Sequence, residues 1–278
     1  MELAKYFYQM KKWLLLICIT AGCILQLGAQ QTDTRWFKGM YVQWGYNTES
    51  YSKSNIHFKL NNGNNFTLSH AKAHDSNDFD AIYKEPSQIS IPQYNYRVGF
   101  YLNREGTRAI EINFDHAKYI VTDGQNVHVK GTIDGVHVDA DSILNPDHFL
   151  HFEHTDGANW LHINYVKLAT LARNYAKTRK LLTYVVKGGA GINIPRSDFT
   201  WRGEELNNAF HVAGYNLSVE GGLRFYPLKR FFIEGTGKTG YVRYINALAD
   251  TEKMKGNRVT QGFMFVEAIA TLGFEFSL

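Results

Sequence analysis

Cysteine is nearly missing from this chain of 278 residues: Cys18 and Cys23 are the two it has, and both stand in an apolar N-terminal stretch. No disulfide can form beyond that stretch, so a large core or a bilayer must supply the stability that small exported domains take from cross-links. Proline is scarce, with 5 residues. Long apolar runs are lacking as well. After the N-terminal stretch nothing is apolar over the roughly 20 residues a transmembrane helix needs, which excludes a helical membrane protein. Charge of one sign is also lacking. A formal net charge of +4 leaves no basic footprint for nucleic acid.

The N-terminal stretch has the layout of a targeting segment. Lys5, Lys11 and Lys12 precede WLLLICITAGCILQLGA, which ends on the small Ala29, and polar QTDTRWF follows. A basic start, an apolar run and a small residue at its end predict a cleaved signal peptide over 1–29. As an anchor the run is short, and no basic stop-transfer cluster follows. A lipoprotein site at Cys23 is disfavoured by Thr20, where an aliphatic residue is expected. Cleavage removes three Lys and one Glu, lowering the charge to +2. It leaves residues 30–278, a length of about 250 residues that suits one domain of the barrel type.

Aromatics and glycine are abundant: 17 Tyr, 18 Phe and 24 Gly. They fall into alternating segments. Met264, Val266, Ala268, Ala270, Leu272, Phe274, Phe276 and Leu278 form an apolar face, against Glu267, Thr271, Gly273, Glu275 and Ser277. Period-two alternation is the mark of a strand with one apolar side. This ending resembles the C-terminal β-signal of outer-membrane barrels, a Gly followed by alternating aromatics, with Leu278 in place of a terminal aromatic. Similar alternation recurs near residues 40, 94–102, 110–115, 161–165, 183–192, 215–225 and 231–241, which makes eight spans. Short connections (NREGT, RNYAKTRK, YPLKR) alternate with long ones over 48–90, 122–148, 195–210 and 246–258. The expected fold is therefore all-β: an eight-stranded antiparallel up-and-down transmembrane β-barrel with long extracellular loops. Residues 36–46 are its first span and 263–278 its last, paired to each other. IHFKLNNGNNFTLSHAK and VHVKGTIDGVHV read as hairpins rising above the membrane.

The same parity turns Arg97, Glu111, Asp115, Lys187, Glu220, Arg224, Glu234, Lys238, Glu267 and Glu275 inward. Paired carboxylates can do acid–base work. A barrel of this strand number is narrow and filled by side chains, so a salt-bridge network that pairs buried charges is the expected role. A wide pore is not.

One polar stretch stands apart: HFEHTDGAN, residues 151–159. It loosely resembles lipid A deacylases of the PagL type, which carry His, one spacer, Ser and then Asn-Ala-Gly on a barrel strand. The resemblance puts His154 in the place of the base. Asp156 stands where the nucleophilic Ser belongs, and Thr155 points to the other strand face. Ala158 and Asn159 come in the opposite order. Should the chain be a hydrolase, His154, Thr155 and Asp156 are the candidates. His148, His151, His154 and Asp156 are candidate metal ligands by residue type, without a diagnostic spacing. The HxxH at 148 and 151 would put its rings on opposite faces of a strand. A plainer reading makes Asp156-Gly157 a tight turn anchored by His154 beneath the loop.

FDHAKY, FEHTDGAN and the GFEFSL ending carry a resemblance to the small outer-membrane β-barrel proteins common in Bacteroidetes, distantly like the OmpX and PagL barrels. The resemblance implies an exported protein in the outer membrane of a Gram-negative bacterium, among lipid and lipopolysaccharide, and implies no cofactor. The function expected is non-enzymatic: displaying loops for interaction, or serving as a subunit of an envelope complex. A lipid A-modifying hydrolase at the outer leaflet is the alternative, and a surface binder of a metal or ligand the third.

Overall fold

The computed structural model describes residues 36–77, 84, 93–250 and 255–276. The expected signal peptide, 1–29, lies outside the described residues. The chain forms β1 (Gly39–Tyr51), β2 (Ser54–Lys59), β3 (Asn65–Ala71), β4 (Ala73–His74), β5 (Tyr94–Tyr101), β6 (Arg108–Asp115), β7 (Tyr119–Val121), β8 (Asn126–Ile133) and β9 (Val136–Ile143). There follow β10 (Leu150–His154), β11 (Trp160–Arg173), β12 (Lys180–Asn193), β13 (Asp198–Trp201), β14 (Glu204–Asn207), β15 (Gly214–Phe225), β16 (Phe231–Leu248) and β17 (Arg258–Phe276).

Eight of these strands make a closed antiparallel barrel in the order β1-β5-β6-β11-β12-β15-β16-β17, and β17 pairs back onto β1. The closing seam is long, from Met40 opposite Phe276 to Tyr51 opposite Phe265. Closure leaves no sheet edge in the wall, so every backbone donor there finds an acceptor, as a hydrocarbon medium requires. The expected eight-stranded up-and-down transmembrane barrel is the fold found, with both described chain ends and the three short turns on one side.

Alternation sets the two faces of the wall. Met264, Val266, Leu272, Phe274 and Phe276 face outward, while Phe265, Glu267, Ile269 and Thr271 are buried inside. Leu217, Val219, Leu223 and Phe225 of β15 are likewise exposed on the outside. Aromatic pairs mark the two rims of this apolar band. Phe37–Phe100 and Phe274–Phe276, with ring centroids 5.1 and 5.0 Å apart, lie on the short-turn side; Trp44–Tyr46 and Tyr94–Tyr96, at 5.1 and 5.3 Å, lie toward the loops. Rings of this kind settle at membrane–water interfaces because their bodies are apolar and their tips polar. Inside, Gly99 makes room for the Tyr41 ring: a Cβ there would fall 2.0 Å from it.

The long connections depart from the sequence expectation. The hairpins at 54–71 and 126–143 form as expected. The remainder of those connections, and the expected irregular loop at 195–210, build a second sheet in the order β14-β13-β10-β7-β4. β17, with 19 residues, is on the order of 60 Å long at the usual strand rise. That is far taller than an apolar band of about 25 Å. Its first residues therefore stand clear of the membrane, and Arg258–Gln261 pair there with β2. From β2 the sheet runs on through β3, β8 and β9. The two sheets pack face to face: Phe58 meets Phe152 and Phe199 at 5.5 and 5.6 Å, and Phe66 meets Trp201 at 5.6 Å. The loops are thus a folded cap with its own core, where long loops carrying two hairpins were expected.

Two outcomes follow from this geometry. A sample kept unheated is expected to run differently from a boiled one on SDS gels, because the closed barrel resists the detergent until heated. Ala270→Arg or Leu272→Arg is expected to cost about 2–4 kcal/mol in a folding titration into bilayers, the range for a cation at the lipid midplane. Thr271→Ser, facing the lumen, should cost little; equal effects at 270 and 271 would contradict the assigned faces.

Candidate functional site: the capped mouth of the barrel

The lumen is filled from bottom to top. At the short-turn end Tyr41, Tyr101, Tyr226 and Phe232 surround Arg224, whose guanidinium lies 3.9 Å from the Phe232 ring centroid and 2.7 Å from Glu234. Above it, Arg97 reaches Glu220 at 2.5 Å, and Lys187 reaches Glu111, Glu220 and Glu234 at 3.2, 3.2 and 2.8 Å. Higher still, Lys238 joins Asp115 to Glu267, with 3.3 Å to the latter. All nine of these charged residues of the lumen are buried. Glu275 sits at the lower mouth, hydrogen-bonded by Tyr101 and Tyr226.

A hydrophobic plug closes the top. Trp160 and Phe265 lie 4.6 Å apart over Lys238, whose ammonium is 5.8 and 5.6 Å from their rings. Tyr119 stacks on Phe263 at 4.6 Å, and the same core continues upward into the cap. Among the described residues, buried aromatics and packed ion pairs fill this lumen.

HFEHTDGAN spans β10 and the turn into β11. Leu150, Phe152 and His154 point into the cap core, while His151 and Glu153 point out. His154 is fully buried, packed against Phe152, Tyr119 and Tyr244 at 4.9, 6.0 and 4.7 Å. Its Nδ1 is 2.9 Å from Ser197 Oγ, at the start of the β13–β14 hairpin. Burial holds the imidazole down at about 3, so it is neutral in the folded cap. The turn itself depends on Gly157, at φ +130°, where an added Cβ would meet the Asn159 side chain at 2.5 Å. Residues with a Cβ rarely adopt that backbone conformation. Asn159 in turn bonds His116, and the Ala158 N–H donates to Ala117.

On the outer face His151 bridges Asp123 at 2.8 Å and Glu153 at 3.0 Å. The hydrogen bonds it donates to Glu153 and then to Asp123 push it up to about 9. Asp198, across the sheet from Glu153, is pushed up to about 7 by partial burial and by the neighbouring Asp156 and Glu153. Asp156 pairs with Arg196 at 3.4 Å. On β8–β9, His128 touches Asp139 and Asp141, each at 2.9 Å.

The sequence candidates are therefore dispersed. His154 and Thr155 lie on opposite sides of the cap sheet, Thr155 bonded to Glu153, so neither Thr155 nor Asp156 faces His154 as a nucleophile. His148 lies in the turn before β10 rather than on a strand, a correction to the expected HxxH geometry. His148, His151, His154 and Asp156 do not converge, and among the described residues no three His, Cys, Asp or Glu side chains form a ready metal centre. Ser197 was missed from the sequence. It stands 43 residues from His154, and only the fold joins them. A serine–histidine contact is the beginning of a nucleophile–base pair, but this one is shut in the core. Ser197 is 1% and His154 0% exposed, and no acid orients the other imidazole nitrogen. It ties the β13–β14 hairpin to β10.

No protein-family model matches the chain, and no curated protein sequence matches it. Solved structures with a similar course of the chain include three outer-membrane proteins. The outer membrane protein OprG from Pseudomonas aeruginosa has 11% identity and a TM-score of 0.42, over 88% of this chain and 98% of that one. The outer membrane protease OmpT from Escherichia coli has 7% identity and a TM-score of 0.38, over 89% and 100%. Ail, the attachment invasion locus protein of Yersinia pestis, has 12% identity and a TM-score of 0.31, over 86% and 99%. Likeness at this level carries no argument about activity. The chain's own geometry defines its class: a small transmembrane β-barrel, here closed by a folded cap.

The buried imidazole makes the cap sensitive to acid. The folded state keeps His154 neutral down to about 3, whereas an unfolded His binds a proton below about 6.5. The unfolded state thus holds more protons between those values, and stability falls as the pH drops through that window. Near-ultraviolet circular-dichroism melts should show this acid limb. His154→Gln keeps a partner for Ser197 without a titrating ring and is expected to flatten the limb relative to wild type. His154→Ala, by emptying a buried site, is expected to cost about 2–5 kcal/mol and to expose the cap to proteases.

Proposed function

We propose that the chain is an exported outer-membrane protein of a Gram-negative bacterium. In this reading the barrel is a sealed anchor, and its work is done by the cap as a rigid interaction surface, free or as a subunit of an envelope complex. One observation carries the reading: the cap core is continuous with the upper lumen, through Tyr119, Phe263, Trp160 and Phe265. A barrel plugged in this way is poorly suited to conduct solutes, and a cap with its own core can present a surface of fixed shape. The N-terminal signal pattern and the resemblance to barrels of Bacteroidetes support export to an outer membrane. The apolar wall between its aromatic rims would sit among lipid and lipopolysaccharide.

The outermost strand, β9, ends the larger sheet and exposes Val136 and Ile143 along with Asp139 and Asp141. A strand at a sheet edge offers unpaired backbone groups to a partner strand, which makes this hairpin a favoured contact for a protein of the envelope. The lipid A hydrolase reading lacks an accessible nucleophile beside His154.

Affinity purification from native outer membranes tests the proposal. Wild type is expected to bring down a partner at fixed stoichiometry, and a variant with residues 134–135 kept but β9 charge-reversed at Asp139 and Asp141 to Lys is expected to lose it. Lipid A from a deletion strain should have unchanged mass. Lipid A with an altered number of acyl chains, restored by wild type and not by Ser197→Ala, would replace this reading with the hydrolase.

A further inference from the structure

Charge is balanced in the lower lumen and unbalanced in the upper. Below, Arg97, Lys187 and Arg224 face Glu111, Glu220 and Glu234, with Glu275 at the wet lower mouth. Above, Lys238 faces Asp115 and Glu267, and Glu49 is buried on the same wall. Asp75, over the rim beside Glu49, has Lys118 acting on it. The upper lumen therefore holds two more negative charges than positive ones when its carboxylates are ionised. Unpaired buried charges cost several kcal/mol each, on the order given for buried ions, so this excess needs a counter-charge.

The excess is focused at one place. Glu49 and Glu267 stand directly opposite each other across the β1–β17 seam, where facing Cβ atoms lie about 4.5–5.5 Å apart. One oxygen of Glu49 and Oε1 of Glu267 lack a hydrogen-bond partner among the described residues, and Oε2 of Glu267 has only the Lys238 ammonium, at 3.3 Å. Neutral amides around them share this state. Asn95 is 0% exposed with both amide atoms unpartnered. It lies opposite Gly45 of β1, on the same inner surface as Gln43 and Asn47. Gln43 has both amide atoms unpartnered, and Asn47 keeps a free Oδ1 while its Nδ2 donates to Glu49. Protons on the two glutamates would cancel the charge. A proton is shared by two oxygens at most, whereas one metal ion meets several at once.

From this juxtaposition we infer that Glu49 and Glu267, with the amide oxygen of Asn47, bind a divalent cation of the calcium class in the upper lumen. One such ion supplies both missing charges. The donors are all oxygen, which suits a hard cation, and calcium accepts six to eight oxygens in loose geometry with water completing the shell. Two carboxylates and a neutral amide make the site, so it needs no cluster of three acids. Because its carboxylates come from β1 and β17, the ion cross-links the first and last strands of the barrel, just below the plug.

The test uses the full chain in detergent, stripped with EDTA and re-equilibrated with Ca²⁺ alone. Atomic emission is expected to find one calcium per chain, with thermal unfolding shifted upward by calcium and back by EDTA. Glu267→Gln and Glu49→Gln should each lose at least tenfold in calcium affinity, while Asp139→Asn, on the exposed β9, should bind as wild type does. Heat-modified gel migration checks that each variant is folded. Wild type that retains no calcium overturns the inference on its own, whatever the variants do. If in addition both glutamine variants gain stability without metal, the counter-charge is a proton. Calcium binding that survives both glutamine variants, or is lost in Asp139→Asn, places the ion elsewhere and also overturns it.

Discussion

The structure depends on pairing charge inside a narrow tube packed with side chains. Arg97 on β5 and Lys187 on β12 reach across to Glu111 on β6, Glu220 on β15 and Glu234 on β16. Five of the eight wall strands are thereby joined through the middle, in addition to their edge-to-edge hydrogen bonds. Such a network is weak evidence of extra stability, since well-packed apolar groups of similar volume can do as well. Its larger effect is on register. A slip of one residue would turn a row of charges toward lipid and a row of Leu, Val and Phe toward the lumen. Removing one partner leaves the other buried and unpaired, at a cost of about 3–5 kcal/mol.

The same requirement shapes the junction with the cap. Lys238 is the highest cation of the lumen, and its neighbours change character on either side. Below lie Asp115 and Glu267; above lie the faces of Trp160 and Phe265. A cation set against aromatic faces is one of the few ways to end a charged column against an apolar core without stranding the charge. From that point upward the packing is hydrophobic, and the polar groups that remain are tied in pairs: His154 to Ser197, and Tyr119 to Ser54 and Gln261.

The wall was legible in the sequence because its information is local. Alternation along Met264–Phe276 or Tyr215–Phe225 is fixed by which side meets lipid, and no knowledge of distant residues is needed to see it. The two long hairpins were legible for the same reason, each being a continuous segment around a turn. The second cap sheet was not. β4 has 2 residues, β7 has 3, β13 has 4 and β10 has 5, too few to establish a period. They also come from three different connections. The stretch HFEHTDGAN shows the limit most clearly. Its turn was visible in Asp156-Gly157, but the partner of His154 is Ser197 on another loop, and the polar letters that suggest chemistry in fact alternate between a core face and a solvent face.

The extra length of β16 and β17 explains how these parts become one body. A loop tethered only at its ends would move independently of the barrel below it. Here the wall strands themselves rise into the cap: Tyr244 of β16 packs on His154, Phe263 of β17 stacks on Tyr119, and Arg258–Gln261 pair with β2. Bending the cap relative to the barrel would require breaking backbone pairs in the middle of continuous strands, not turning a hinge. The orientation of the exposed β8–β9 hairpin is therefore set by the barrel's tilt in the membrane. A surface fixed in this way suits recognition by shape, because little ordering entropy remains to be lost when a partner docks.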